Sequence, residues 1–357
     1  MSEIEIRKVI QSLPTYKAGA KPPVIEGLTP YKLSSNENAI SPLPSVVNAI
    51  SLAAEQINRY PDPFVTDLIA RIAELCEVSV DMVATGTGSV AVCQQIVQAL
   101  CDSGDEVIFA WRSFEAYPII TAIAGAHSVM VPLNDQGEHD LSAMLQAVSS
   151  KTKVIFICTP NNPTGRIVRH DELHKFLQNV PKHILVVIDE AYIEFNRDET
   201  AVNGLEMLRE FSNVGLLRTF SKAYGLAGLR VGYFIGPQIV AQAVRKTSVP
   251  FGVSHVAQVA AVASLEHHDE LMARVNEIVK TREWFESQLN ALGFELASSQ
   301  ANFIWLPLGE RTSDFVQACN EVAVSVRGFP SEGVRISIGE ELALVRILEI
   351  AKNFVNA

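Results

Sequence analysis

The sequence is poor in paired cysteine, in positive charge and in long apolar runs, and each shortage removes a class of function. Its five cysteines (Cys76, Cys93, Cys101, Cys158 and Cys319) stand singly, with no C-x-x-C and no metal-ligand spacing. That pattern excludes a disulfide scaffold and a cysteine metal site, and it predicts buried, reduced thiols. Lys and Arg number 29 against 40 Asp and Glu, a formal net charge of -11. Nucleic acid and anionic membranes require a basic footprint, so neither is expected as a partner. An anionic small molecule would have to be held by a few local arginines or lysines. No apolar run reaches spanning length, and the opening M-S-E-I-E-I-R-K lacks the apolar core of a signal peptide. The expectation is a cytoplasmic protein.

What is present is the length and alternation of an α/β enzyme. A chain of 357 residues exceeds one compact core, so two domains are expected. From Val46 to about Pro250, helical periodicity alternates with short apolar runs. The runs are M-V-A-T-G, E-V-I-F-A, S-V-M-V-P-L, K-V-I-F-I-C, I-L-V-V-I-D, V-G-L-L-R-T-F and V-G-Y-F-I. This is the pattern of βαβ units around a mostly parallel sheet, with several strands apolar on both faces. Beyond Pro250 one long helical stretch is expected over 254–292. After it come N-F-I-W-L-P-L, a helix near 312–321, V-S-V-R, G-V-R-I-S-I-G and a final helix. They read as a smaller α/β domain. Residues 14–44, rich in Pro and Gly, read as an arm. The expected division is an arm with part of the small domain over 1–44, a large domain over 45–252 and a small domain over 253–357.

In open α/β sheets ligands bind beyond the carboxyl ends of the strands, so the residues just past these runs carry the functional reading. T-F-S-K-A-Y-G-L-A-G-L-R-V-G, residues 219–232, sets Lys222 directly after a buried strand with Arg230 eight residues on. A lysine partly desolvated beside a cation becomes a neutral amine, which an imine-forming nucleophile requires. Thr219, Ser221 and Arg230 offer hydroxyl and charged donors suited to a phosphate. The turn T-G-T-G-S before a helical pattern offers an anion site through Gly88, Ser89 and Val90. Asp189, closing I-L-V-V-I-D, is in isolation either a strand-end cap or a functional carboxylate. Arg335 sits in the alternating strand G-V-R-I-S-I-G, a costly position unless an anion meets it. Arg327, in V-S-V-R, is either an exposed strand-edge residue or a second anion contact.

In consistent order, N-R-Y-P, the glycine turn, N-N-P-T-G, D-E-A-Y, S-K and V-R-I resemble the fold-type I aminotransferases that depend on pyridoxal 5'-phosphate (PLP). The resemblance covers essentially the whole chain. It implies the α/β PLP-transferase fold, a mostly parallel seven-stranded sheet in a large domain plus a smaller α/β domain. It implies that Lys222 holds the cofactor covalently and that Asp189 keeps its pyridine nitrogen protonated, so that the ring acts as an electron sink. Tyr192 and Asn162 would reach its 3-hydroxyl, and Phe114 would stack on the ring. Gly88, Ser89, Val90, Thr219, Ser221 and Arg230 would hold the phosphate. Many relatives carry an acidic residue or Asn where Val90 stands, so only its main-chain N–H can contribute. Tyr60 matches a tyrosine that crosses to the partner's cofactor, implying a homodimer with shared sites. Arg335 would grip the substrate α-carboxylate, with Asn36 and Tyr16 lining that pocket.

Length and motif order are most similar to the histidinol-phosphate aminotransferase subgroup, in which the position of Arg327 helps bind the substrate phosphate. Within it, G-S-V-A-V-C-Q-Q, G-D-E-V-I-F-A-W-R-S-F-E and S-Q-A-N-F-I-W-L-P-L-G resemble an actinobacterial branch acting on aromatic amino acids. The arm departs from the subgroup, with T-Y-K-A-G-A for P-Y-x-P-G-K and A-I-S-P-L-P for P-Y-G-P. The implied reaction is ping-pong transfer of an amino group between phenylalanine, tyrosine or tryptophan and a 2-oxo acid such as 2-oxoglutarate, in amino-acid biosynthesis. A histidinol-phosphate aminotransferase is the first alternative, and a PLP-dependent decarboxylase or lyase the second. Trp111 and Trp305 are either pocket or core aromatics.

Overall fold

The computed structural model describes residues 4–355, so the first three residues of the expected arm and the last two of the expected small domain lie outside it. Its strands in chain order are β1 (Tyr31–Lys32), β2 (Val83–Gly86), β3 (Glu106–Trp111), β4 (His127–Pro132), β5 (Thr152–Cys158), β6 (Leu185–Asp189), β7 (Val214–Thr219), β8 (Gly232–Ile235), β9 (Phe303–Leu306), β10 (Val324–Ser325), β11 (Arg327–Phe329) and β12 (Gly333–Ser337). Each of the seven apolar runs is a strand of one seven-stranded sheet, ordered β2-β8-β7-β6-β5-β3-β4. Only β8 runs against its neighbours; the pairs among β3 to β7 are parallel.

The two-faced burial of these strands follows from their alternation. In β5, Ile155 and Ile157 enter one core cluster while Val154, Phe156 and Cys158 enter the other. In β6, Val186 and Ile188 face the first cluster, and Leu185 and Val187 the second. Each such Val, Ile or Phe contributes roughly 1.5–3 kcal/mol on burial. The same period of two turns Asp189 toward the second face. The helix Ser89–Leu100 packs there through Val92, Cys93, Ile96 and Val97, with Leu100 half-buried at its end. All five cysteines are free and buried.

The rest of the chain differs from expectation in one respect. The stretch 254–292 is two helices, His255–Glu266 and His268–Ala291, because His267 leaves the helical region at φ -110 and ψ 35. The first packs against the early helices Pro44–Ala54 and Thr66–Cys76. β9, β11 and β12 form an antiparallel sheet, and the arm enters the same region by pairing β1 with β10. Among the described residues no helix is long and apolar enough to cross a membrane.

Candidate active site

Topology brings distant segments to one edge. β2, β3, β5, β6 and β7 all end there, and β8, being reversed, begins there just after Arg230. A cavity of about 330 Å³ opens at this edge, lined among others by Ser89, Val90, Phe114, Asn162, Asp189, Tyr192, Thr219, Ser221, Lys222, Arg230, Arg327, Arg335 and Tyr16. Gly88 packs directly behind Arg230, since a Cβ there would collide with the guanidinium. Asn36 joins through its partners, described below. Tyr60 lies elsewhere: it is 83% exposed and its ring lies tilted against that of Phe251, centroids 4.6 Å apart.

Lys222 Nζ donates to the carbonyls of Ser35 and Asn36, each at 3.2 Å. These two bonds use both N–H groups of a neutral amine. Burial, and then the nearby Arg335 guanidinium, lower its pKa from 10.5 to about 7. Asp189 is buried and accepts a hydrogen bond from Tyr117 Oη at 2.6 Å through Oδ2, while Oδ1 has no partner among the described residues. Burial raises its pKa from 3.8 to about 6 against the opposing hydrogen bond from Tyr117. Tyr117 was not expected from sequence. It lies three residues past Phe114, as the second residue of the helix Ala116–Ala124, and its ring stacks on Phe156 at 4.7 Å. The one sequence hint was its i, i+3 spacing from Phe114.

The anion-binding corner combines two devices. Arg230 Nη1 donates to Ser221 Oγ at 3.2 Å, and Ser221 N–H donates to Thr219 Oγ1 at 3.1 Å. Opposite stands the N-terminus of Ser89–Leu100, where Gly88 (φ 86) makes no side-chain cap. Arg230 itself lies at φ 55 and Asn36 at φ 53, left-handed conformations that cost about 1–3 kcal/mol each and cluster at functional sites.

On the far wall Asn36 Nδ2 donates to Tyr192 Oη at 3.0 Å. Burial pushes the Tyr192 hydroxyl above its usual range. Arg335 donates to Asn162 Oδ1 at 2.5 Å and to the Ser34 carbonyl at 2.9 Å, and its Nε lacks a partner among the described residues. Burial lowers its pKa. Arg327 is not an exposed edge residue: it is buried and paired to Glu115 at 2.7 Å. Neither Trp111 nor Trp305 lines the cavity; Arg112 covers the Trp111 ring, and Trp305 packs edge-on against Phe329.

The family described as aminotransferase class I and II matches residues 29–349. The chain belongs to that family. Its relatives include the aromatic amino acid aminotransferases of Streptomyces coelicolor, 53% identical over 98% of this chain and 97% of that one, and of Thermobifida fusca, 50% identical over 94% and 92%. Among solved structures this aminotransferase is similar to the histidinol-phosphate aminotransferase of Sinorhizobium meliloti in complex with pyridoxal-5'-phosphate. The TM-score is 0.87 at 27% identity, covering 99% of this chain and 98% of that one.

Proposed function

We propose that this aminotransferase uses PLP to move amino groups between aromatic L-amino acids and a 2-oxo acid such as 2-oxoglutarate. The observation that carries the reading is one cavity holding a neutral-leaning lysine and, among the described residues, a buried carboxylate with an orphan oxygen and an arginine without an acidic partner. These groups fit the cofactor. Asp189 Oδ1 suits a protonated pyridine nitrogen, the capless helix terminus with Ser221 and Arg230 suits a phosphate, and Phe114 offers a ring face. Tyr192 and Asn162 would serve the 3-hydroxyl.

PLP, when bound, supplies an electron sink that acidifies the substrate α-carbon. The chain does the rest. Lys222 Nζ, basic near neutral pH, accepts the α-proton and returns it on the other side of the transfer. Arg335 orients the α-carboxylate, and Asn162 and the Ser34 carbonyl hold that guanidinium in place. Tyr16 and Asn36 border the substrate side, and Gly88, Ser89, Val90 and Thr219 complete the phosphate corner.

The aromatic preference rests on the relatives named above and on the ring of Phe114 in the cavity lining, beside an Arg327 already paired with Glu115. The expected result is a kcat/KM for phenylalanine at least about tenfold above that for histidinol phosphate, with 2-oxoglutarate as acceptor at one pH, since a ring gains by burial whereas a phosphate needs charged donors of its own. A preference for histidinol phosphate would overturn the aromatic assignment.

We also infer a homodimer with shared sites, and a division into a large domain over 45–252 and a small one formed by 253–357 with part of 1–44. Tyr60, Phe64, Val249 and Phe251 are exposed although apolar or aromatic, as a surface awaiting a partner would be. Mixing Lys222→Ala with Tyr60→Ala protein should restore activity in about one quarter of all sites, those of heterodimers that combine an intact Lys222 with an intact Tyr60. Exchange of subunits without recovery would mean that each site is built within one chain.

A further inference from the structure

We propose that Glu115 is a specificity-determining residue: it occupies Arg327 and thereby denies this pocket a second anion site, so that substrates with a phosphate on the side chain are rejected. The inference rests on the aromatic reading above and names the residue that enforces it.

The small sheet poses the problem that Glu115 solves. In the β11–β12 pair Arg327 stands directly opposite Arg335. Directly opposed residues share a face, and like charges so placed destabilise the pair. Each guanidinium therefore needs an anion, and the two are supplied differently. Arg327 donates to Glu115 Oε2 at 2.7 Å and to the Ala18 carbonyl at 3.3 Å, with its charge 5.5 Å from the Phe329 ring centre. Its side chain is only 7% exposed, and that of Glu115 29%. Arg335 has only neutral oxygens for partners among the described residues. Arg230 is likewise without an acidic partner, donating to Ser221 and the Ala227 carbonyl.

Counting unanswered cations thus identifies the ligands. Arg230 is left for a cofactor phosphate and Arg335 for one carboxylate. Among the described residues the other side-chain cation on the lining besides Lys222 is Lys17, which is exposed to solvent, so no buried guanidinium is left for a third anion. A phosphate on the substrate side chain would have to displace a carboxylate from a mostly buried ion pair and then lie beside that displaced charge. A phenyl ring meets a neutralised pair and needs no displacement. The Glu115 carboxylate is held where the chain leaves β3 and enters the helix Ala116–Ala124, where a negative charge also suits the helix terminus.

The test compares the ratio of kcat/KM for histidinol phosphate to kcat/KM for phenylalanine in the holoenzyme and three variants. Glu115→Gln should raise the ratio at least about tenfold by freeing Arg327. Glu115→Ser should do the same; serine is a good helix cap, so this variant guards against misfolding of the first. The gain should vanish in Glu115→Gln combined with Arg327→Met. A wild-type enzyme that prefers phenylalanine, with a ratio unmoved in both Glu115 variants, overturns the inference and leaves the aromatic reading standing. So does a gain that persists without Arg327. A wild-type enzyme that prefers histidinol phosphate overturns the aromatic reading itself, and the inference with it.

Discussion

Lys222→Ala should lower kcat by roughly 10⁴-fold or more, because it removes both the covalent anchor of the cofactor and the base that handles the α-proton. PLP should still bind through Asp189, Ser221 and Arg230, yet borohydride should no longer fix it to the protein. The fold should survive, and the apoprotein's response to pH says why. The Nζ of the folded chain titrates near 7 against 10.5 for a free lysine. Between those values the unfolded chain binds more protons, so wild-type apoprotein gains stability as pH rises through that window. The alanine variant lacks that slope and should melt no lower than wild type at pH 7. Thermal melts of both apoproteins at pH 7 and pH 10 would measure it. A variant that keeps its transaminase turnover would remove Lys222 from the centre of the mechanism.

Asp189→Asn should retain PLP and lose on the order of a hundredfold in kcat, since a charge-assisted contact of about 2–3 kcal/mol to the ring nitrogen is replaced by a neutral one. Asparagine is isosteric and can still accept from Tyr117, so the loss reports charge rather than packing. The stability sign is opposite to that of the lysine. The Asp189 carboxyl titrates near 6 in the folded chain against 3.8 when free. The folded apoprotein then binds more protons between those values and loses stability as pH rises through them. Apo Asp189→Asn should escape that loss and be at least as stable as wild type at pH 8. Single-turnover kinetics decide the main point: an unchanged proton-abstraction rate would reduce Asp189 to a strand-end cap.

Much of this architecture was readable beforehand because it depends on short-range rules. Alternation with a period of two marked the seven strands, and Gly, Pro and Asn marked the turns that follow them. The direction in which Asp189 points is also local, fixed by counting from Val187 and Leu185 along β6. The helix break at His267 was missed because apolar periodicity continues on either side of a one-residue departure.

Contacts across the chain were not readable in this way. Tyr117 meets Asp189 across 72 positions, and Glu115 meets Arg327 across 212. The amino-acid string alone established an α/β enzyme with a lysine, a carboxylate and several arginines at strand ends. Tertiary structure decided which of those arginines remain unanswered. Strand register set Arg327 against Arg335, and the path from β3 into its helix delivered a carboxylate to one of them and not to the other. A charge is neutralised by whatever lies within a few ångströms in space, and sequence order carries no record of that distance.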